Sequence, residues 1–476
     1  MGESLRVALV LGTTSGGTGR HVRMLAAGLA RHGHRVVVIG PRSTEESFDF
    51  TGAGARFVEV PVSDRPHPVN DARAVAAMRR ATREADVVHA HGLRAGALAA
   101  LALVGGRARL VVTLHNALTA SGAIGAVYGV LERIVARRAD LVLGVSRDLT
   151  ERMTALGARE VGLAVVPAPP LRPVTRPAAE VRAELLRGNG AVDPAAGVPG
   201  GTAPGGTAPG GTAPGGTTPG GAQADGAGSG PSGSGLAGSG RASSGLAGAD
   251  AAGSGAAGSG AAGSGAAGSG GAGSSPASSG GDSSGDTASG DTAPRVGAAA
   301  AREGAERPIV LSNVRLAQQK GLDLLLDAAR GPWPEPAPLF VIAGDGPLRE
   351  ELQRRIDAEH LPVRLLGWRD DVPDLLAAAD VALWPSRWEG QPLSMSEALM
   401  AGVPVVATEV GGIPDLLAGA GLLVPYGDAA AMGRAVQQAL RRREGLARAS
   451  AERGSALPDE RAAIDAVLTV YPVRGR

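Results

Sequence analysis

Short, wholly apolar runs alternate along this chain with longer stretches whose apolar residues recur every three or four positions. In the first block the runs are Leu5–Leu11, Arg35–Ile39, Arg56–Val60, Asp86–His91, Leu110–His115, Leu141–Ser146 and Leu163–Val166. Between them, Thr18–Arg31, Asp71–Glu84, Leu93–Val104, Ala123–Arg138 and Arg147–Leu156 carry helical spacing. Runs that are apolar on both faces and separated by helices predict a parallel sheet covered on both sides. A second block repeats the rhythm, with strands expected at Ile309–Val314, Leu339–Ala343, Val363–Leu366, Val381–Trp384, Val403–Ala407 and Leu422–Val424. Its helices are expected after Lys320 and from Pro347, Val372, Pro392, Ile413 and Asp428. The pattern predicts an α/β protein: two Rossmann-like, doubly wound domains whose strand C-termini face a shared cleft, where such folds bind ligands. We place the domains at residues 1–170 and 306–445, with a further segment at 446–476.

Composition changes the picture in the middle. Of 476 residues, 74 are glycine, and 38 of these fall between Gly188 and Ala305. There GGTAP-type pentapeptides run four times from Gly200 to Pro219, and AAGSG runs four times from Ala251 to Gly270. A period of five is not the period of three that a collagen helix requires. Such a stretch cannot bury enough apolar surface to offset its conformational entropy, so residues 188–305 are expected to be a disordered Gly/Ala/Ser/Pro-rich insert between the domains.

Charge and cysteine narrow the function. With 47 basic and 46 acidic residues, the formal charge is +1, which argues against a nucleic-acid binder driven by bulk charge. The absence of cysteine removes disulfides, Cys-type zinc sites and thiolate nucleophiles. No long charge-free apolar run and no leader-like segment is visible, so the expectation is a cytoplasmic protein. The basic residues include a single lysine, Lys320; in so arginine-rich a chain a lone lysine favours a functional position over an accidental one.

Candidate chemistry clusters at strand ends. After the first strand, the glycine-rich run Gly12–Gly19 contains Gly16 and Gly17 and leads into a helix, where backbone N–H groups can meet an anion. It does not fit the G-x-G-x-x-G of dinucleotide binders. The fourth strand ends His89-Ala-His91-Gly92; alternation puts both histidines on one side, with His91 at the cleft edge, either satisfied by a neighbouring carbonyl or facing a ligand. His115 closes the next strand in the same way. In the second block, Arg315 and Lys320 lie five residues apart on one strand–loop–helix connection, placed to hold a diphosphate as it departs. Glu389 follows a strand, and Glu397 lies in the helix starting near Pro392, whose first N–H groups, at Gln391 to Ser394, offer a second anion seat. Two carboxylates so spaced can accept from two sets of hydroxyls. No histidine pair with a third carboxylate suggests a metal site.

These residues resemble the family 4 retaining glycosyltransferases of the GT-B fold, a bacterial, nucleotide-sugar-dependent type. The matching pieces are Gly16-Gly17, His89–Gly92, Val145-Ser146, Val166-Pro167, Arg315 with Lys320-Gly321, Ala343–Leu348, Leu366-Gly367, and Glu389 to Glu397 with the Gly402–Ala407 strand behind it. The resemblance covers both blocks and skips residues 188–305. It implies a hexosyltransferase that moves a sugar, with retention and without a metal or other cofactor, from a UDP- or GDP-linked donor to an acceptor hydroxyl. Arg315 and Lys320 would clamp the diphosphate, Glu397 the ribose, and Glu389 the transferred sugar. Gln391, Pro392 and Leu393 would contact sugar or phosphate, His91 would sit near the sugar's C6, and Gly17 would let the acceptor-side loop approach. The segment 446–476 would return to the first domain.

The family's E-G-F-G is here Glu389-Gly390-Gln391-Pro392, and its Asn-Gly after V-P is Ala168-Pro169-Pro170. A lipid-borne acceptor would add peripheral membrane contact. The rival readings are a nucleotide-sugar epimerase and a non-catalytic nucleotide-sugar-binding protein. A pyridoxal-dependent phosphorylase would need its Schiff-base lysine at the one position already assigned to phosphate.

Overall fold

Two all-parallel sheets form, one from each block, in a computed structural model that describes residues 4–14, 16–62, 67–116, 122–187 and 306–471. The expected insert at 188–305 lies outside the described residues. The first lobe runs β1 (Arg6–Leu11), α1 (Gly17–Arg31), β2 (Arg35–Gly40), α2 (Arg42–Phe48), β3 (Arg56–Glu59), α3 (Pro68–Ala81) and β4 (Val87–His91). It continues through α4 (Leu93–Ala102), β5 (Arg109–Leu114), α5 (Gly122–Arg138), β6 (Leu141–Gly144), α6 (Arg147–Ala155) and β7 (Val161–Leu163). Strand order is β3-β2-β1-β4-β5-β6-β7. The order reverses between β1 and β4, and their register pairs Leu11 with His91, so the glycine turn and the histidine end flank the crevice at the switch point.

Helix α7 (Ala178–Leu186) is the first element of the second lobe. Its Val181 and Leu185, at most 2% exposed, join the core of the second sheet. There follow β8 (Ile309–Asn313), a single 3-10 turn at Gln318–Lys320, α8 (Leu322–Arg330), β9 (Leu339–Ala343), α9 (Arg349–Ala358), β10 (Val363–Gly367), α10 (Val372–Ala378) and β11 (Val381–Trp384). The lobe ends with α11 (Leu393–Met400), β12 (Val405–Thr408), α12 (Ile413–Leu417), β13 (Leu422–Val424), α13 (Ala429–Arg441) and α14 (Arg443–Ser455), before α15 (Glu460–Val470). Sheet order is β10-β9-β8-β11-β12-β13, with its switch point between β8 and β11.

Amphipathic spacing explains the helices that the sequence revealed. In α1, Val22, Leu25, Ala26 and Leu29 are fully buried at three- and four-residue steps; each large apolar side chain so buried contributes about 1.5–3 kcal/mol. The polar α2 carries no such period and buries only Thr44, which is why the sequence pattern passed over it. Strand β7 sits two residues earlier than expected. It pairs on one side only, and the prolines at 167, 169 and 170 exclude a longer strand.

One sequence-based boundary is corrected. The return to the first lobe begins after Ser455, not at 446: α14 packs on α11, where a Cβ on Gly454 would fall 2.6 Å from the Leu399 backbone. Among the described residues α15 makes the crossing, setting Ile464 against Gly28 of α1, and the Ala168 N–H donates to the Pro458 carbonyl at 2.8 Å beside it.

Asp380 holds the second lobe's entry together. It is 5% exposed and accepts from Arg182 of α7 (2.8 Å) and from the Ile309 N–H (2.8 Å), while pairing with Arg443 at 2.9 Å. Arg182 is itself only 4% exposed, so removing the carboxylate would take away its buried counter-charge and leave the guanidinium with Glu306 and the Ala378 and Arg307 carbonyls. Asp380→Ala is therefore expected to lower stability by about 3–5 kcal/mol, read from urea unfolding; a change within experimental error would show that the anchor is dispensable.

Candidate functional site

Chemistry in the second lobe is set by two close backbone approaches. Gly321 has φ +59, and a Cβ there would lie 2.1 Å from the Pro385 carbonyl oxygen. Only glycine fits, and its absence of a side chain lets the turn carrying Lys320 lie against the chain leaving β11. Gly411, at φ +53, similarly leaves room for the Glu389 carbonyl oxygen, which would be 1.9 Å from a Cβ, and the Gly412 N–H donates to that oxygen at 2.9 Å. The loop from Trp384 to Pro392 is thus clamped from both sides.

Inside the clamp, Lys320 Nζ meets Glu389 Oε1, and Ser386 Oγ donates to the same oxygen at 2.8 Å. Glu389 is 4% exposed and Ser386 fully buried, whereas the Lys320 side chain keeps 19% exposure. A buried carboxylate, a cation about four-fifths buried and a hydroxyl form one polar unit across the β8–β11 switch point. Gln319 braces it by donating to the Trp388 carbonyl at 3.0 Å. Arg315, in contrast, is exposed and makes no side-chain hydrogen bond or ion pair among the described residues.

Helix α11 carries the remaining candidates. Pro392 is its N-cap with extended backbone and Leu393 its first residue, one position later than the sequence suggested; Gln391 precedes the cap. Gly16 is the N-cap of α1, and a Cβ on Gly17 would touch Leu393 Cδ1 at 3.6 Å. The positive ends of two helices, one from each lobe, therefore meet. Glu397, in the second turn of α11, is half-buried; desolvation raises its pKa, and the charges of Arg172 and Arg20 oppose that shift.

The lobes are also joined beside Glu389. A Cβ on Gly390 would fall 2.7 Å from Val145 Cγ2 and 3.0 Å from the His115 carbonyl oxygen. Trp388 Nε1 donates to Asp148 at 2.7 Å, and Arg147 pairs with Asp415 at 2.8 Å.

Across this junction lies a cluster of four histidines. His91, 2% exposed, places Nδ1 3.1 Å from His115 Nε2; its ring lies 4.2 Å from that of His89 and 5.6 Å from that of His21. Burial holds all four imidazoles neutral: His21 falls to about 4, His89 to about 3 with a smaller effect from His21, and His91 and His115 lie well below the ordinary value. His91 and His115 line a cavity of about 350 Å³ together with Thr13, Thr18, Asn116 and Tyr128. His91 Nε2 is buried without a hydrogen-bond partner among the described residues. No group of three or more His, Cys, Asp or Glu among the described residues is arranged to hold a metal ion.

The structure brings Lys320 together with Glu389 and Gly17 together with Leu393, and it leaves Arg315 apart from the Lys320–Glu389 unit. Sequence reasoning gave no role to Ser386, His21, Arg20, Arg172 or Tyr471. Ser386 sits three residues before Glu389, and His21 lies one turn beyond the glycine run, so proximity to known motifs could have flagged both. Nothing local marks Tyr471.

Comparison with known proteins agrees in both lobes. Residues 16–169 match the family described as Glycosyl transferase 4-like domain, and residues 307–442 match Glycosyl transferases group 1. Among curated relatives, an Escherichia coli UDP-Gal:α-D-GlcNAc-diphosphoundecaprenol α-1,3-galactosyltransferase is 42% identical over 80 residues, 16% of this chain and 21% of its own length. A 2-deoxystreptamine N-acetyl-D-glucosaminyltransferase of Streptomyces fradiae is 37% identical over 145 residues, 29% of this chain and 34% of its own length. The chain thus matches about a fifth to a third of these relatives. The solved structure of Anabaena HepE in complex with UDP superposes with a TM-score of 0.62 at 16% identity, covering 98% of this chain and 99% of that one, and so shares the fold.

The buried carboxylate yields a test that needs no ligand. Lys320→Met should cost about 2–3 kcal/mol, less than a fully buried pair because Lys320 is partly exposed. Adding Glu389→Gln should restore at least half of that in a double-mutant cycle read by urea unfolding. Strict additivity would mean that the two side chains do not stabilise each other.

Proposed function

This chain belongs to the GT-B glycosyltransferases, and on that premise we propose that it moves a hexose from a UDP- or GDP-linked donor to an acceptor hydroxyl, with retention at the anomeric carbon and without a bound metal. The observation that carries this reading is the meeting of the α1 and α11 N-termini at Gly17 and Leu393, beside the Lys320–Glu389–Ser386 unit. Two positive helix ends and a partly exposed ammonium are suited to a diphosphate. Arg315, on the same connection with its guanidinium uncommitted, would add a second cation once the donor is seated.

Each group then has a chemical task. Glu397 accepts from the ribose hydroxyls, and Glu389 from hydroxyls of the transferred hexose. Gln391, Pro392 and Leu393 line sugar and phosphate through their backbone. His91, neutral and with Nε2 unpartnered, hydrogen-bonds a sugar hydroxyl without adding charge. In the transfer, the bond from the anomeric carbon to the β-phosphate oxygen breaks as the acceptor oxygen bonds to the same face. The acceptor's proton passes to the departing diphosphate. Lys320, Arg315 and the helix ends offset the charge that develops there, which is the role a metal would otherwise fill. No helix among the described residues is long and apolar enough to cross a membrane; an acceptor carried by a lipid would be met at the membrane surface.

Thermal unfolding against UDP, GDP, ADP and their sugar conjugates, with EDTA present, is the direct test. Selective stabilisation by one nucleoside diphosphate and its sugars is expected; no shift with any of them would overturn the reading. Conversion of the donor to its epimer without an acceptor would point instead to an epimerase.

Glu397 supplies a pH signature. Its raised pKa means that acidification protonates it above the ordinary carboxylate value of 4.5, removing the anionic acceptor. Affinity for UDP-glucose, whose diphosphate ester does not titrate in this range, is expected to fall as pH drops toward that raised pKa. Glu397→Gln should flatten the profile, and Glu397→Ala should weaken binding by about 1.5–3 kcal/mol at neutral pH. Titration calorimetry across pH would read both; an unchanged affinity in Glu397→Ala would remove this residue from the donor site.

A further inference from the structure

Behind His91 lies a second layer that no substrate would touch. Tyr471, at the end of α15, is fully buried, and its hydroxyl lies 2.7 Å from His89 Nδ1. The other ring nitrogen, His89 Nε2, lies 2.7 Å from Thr113 Oγ1 on β5. His89 is 1% exposed, and its ring packs on that of His91 with centroids 4.2 Å apart and planes tilted by 31°. On its other side, His91 bonds His115 at 3.1 Å. His91 is thus held between two imidazoles, one of which is pinned at both nitrogens.

The pinning has a direction. A neutral imidazole carries one N–H and one lone pair, so Tyr471 and Thr113 must play opposite roles toward His89. A phenol is the stronger donor and weaker acceptor of the two hydroxyls. Tyr471 therefore donates to Nδ1, and His89 donates from Nε2 to Thr113. Burial, which raises the Tyr471 phenol and lowers His89, keeps both neutral for this exchange.

We propose that Tyr471 and His89 are positioning residues for the transfer reaction: they fix the ring plane of His91, which lines the cavity, and with it the direction of its unpartnered Nε2. The inference rests on the reading of His91 as a residue of the transfer site. It gives α15, which crosses from the second lobe, a role in the first lobe beyond packing. Small displacements of a group that orients substrate are enough to slow a reaction substantially.

Tyr471→Phe keeps the ring and deletes only the donor. Side-chain nitrogen NMR of the free protein is expected to show His89 protonated at Nε2 in the wild type, and to show both His91 nitrogens shifting in Tyr471→Phe. His91 nitrogens that stay in place while those of His89 move would overturn the coupling. Release of UDP from UDP-glucose, with water as acceptor, supplies the kinetic arm. Tyr471→Phe should lower kcat about tenfold while KM stays within twofold.

His91→Ala separates the two ideas. If it leaves turnover unchanged, the reading of His91 fails; if it slows turnover while Tyr471→Phe matches the wild type, only the positioning role fails. Should Tyr471→Phe not fold, Thr113→Val removes the other partner of His89 and is expected to shift the His91 nitrogens in the same way. Unmoved nitrogens there would equally overturn the proposal.

Discussion

A buried carboxylate at Glu389 is the constraint around which the second lobe is arranged. At 4% exposure, its charge is tolerable only because Lys320 and Ser386 share one of its oxygens. To deliver Lys320 there, the chain must pass within contact of the Pro385 carbonyl, which requires the glycine at 321. Holding the carboxylate-bearing loop in turn requires Gly411 and Gly412 behind it. The same loop then presents Gly390 to Val145 and His115, so the geometry of the ion pair is passed directly to the face of the first lobe. A side chain at any of these glycines would displace the carboxylate, the interface or both.

The first lobe answers with uncharged chemistry. Where the second lobe concentrates fixed charge and helix ends, the first offers a cluster of four neutral imidazoles, two of which, His91 and His115, line a cavity together with hydroxyl and amide groups and the already paired Arg94 and Glu132. This division suits a substrate whose anionic half and whose neutral, hydroxyl-rich half must be held by different surfaces. Burial favours it, lowering the pKa of all four histidines and keeping them uncharged near neutral pH.

The fold was legible because apolar runs on both faces of a strand are a strong periodic signal, and both sheets follow them. The polar α2 had no period to read, and β7 slid by two residues because an edge strand is weakly specified. In the site, Lys320, Glu389, Glu397 and the glycine pair were visible as motifs with spacing. Their pairing was not, since whether Lys320 reaches Glu389 depends on a close approach of backbone across 69 residues of sequence. Tyr471 is the extreme case, 382 residues from the histidine it bonds; no window along the chain could have joined them.

The early entry of α7 into the second lobe has a mechanical consequence. Arg182 of that helix bonds Glu306 at 3.2 Å and the Arg307 carbonyl at 3.1 Å, and the Arg187 carbonyl accepts from Arg364 at 3.2 Å. The residues on either side of positions 188–305 are therefore fastened to the same lobe, not strung across two. Any opening or closing of the lobes leaves those two anchor points at a fixed separation. Chain length added between them therefore leaves the span from one lobe to the other unchanged.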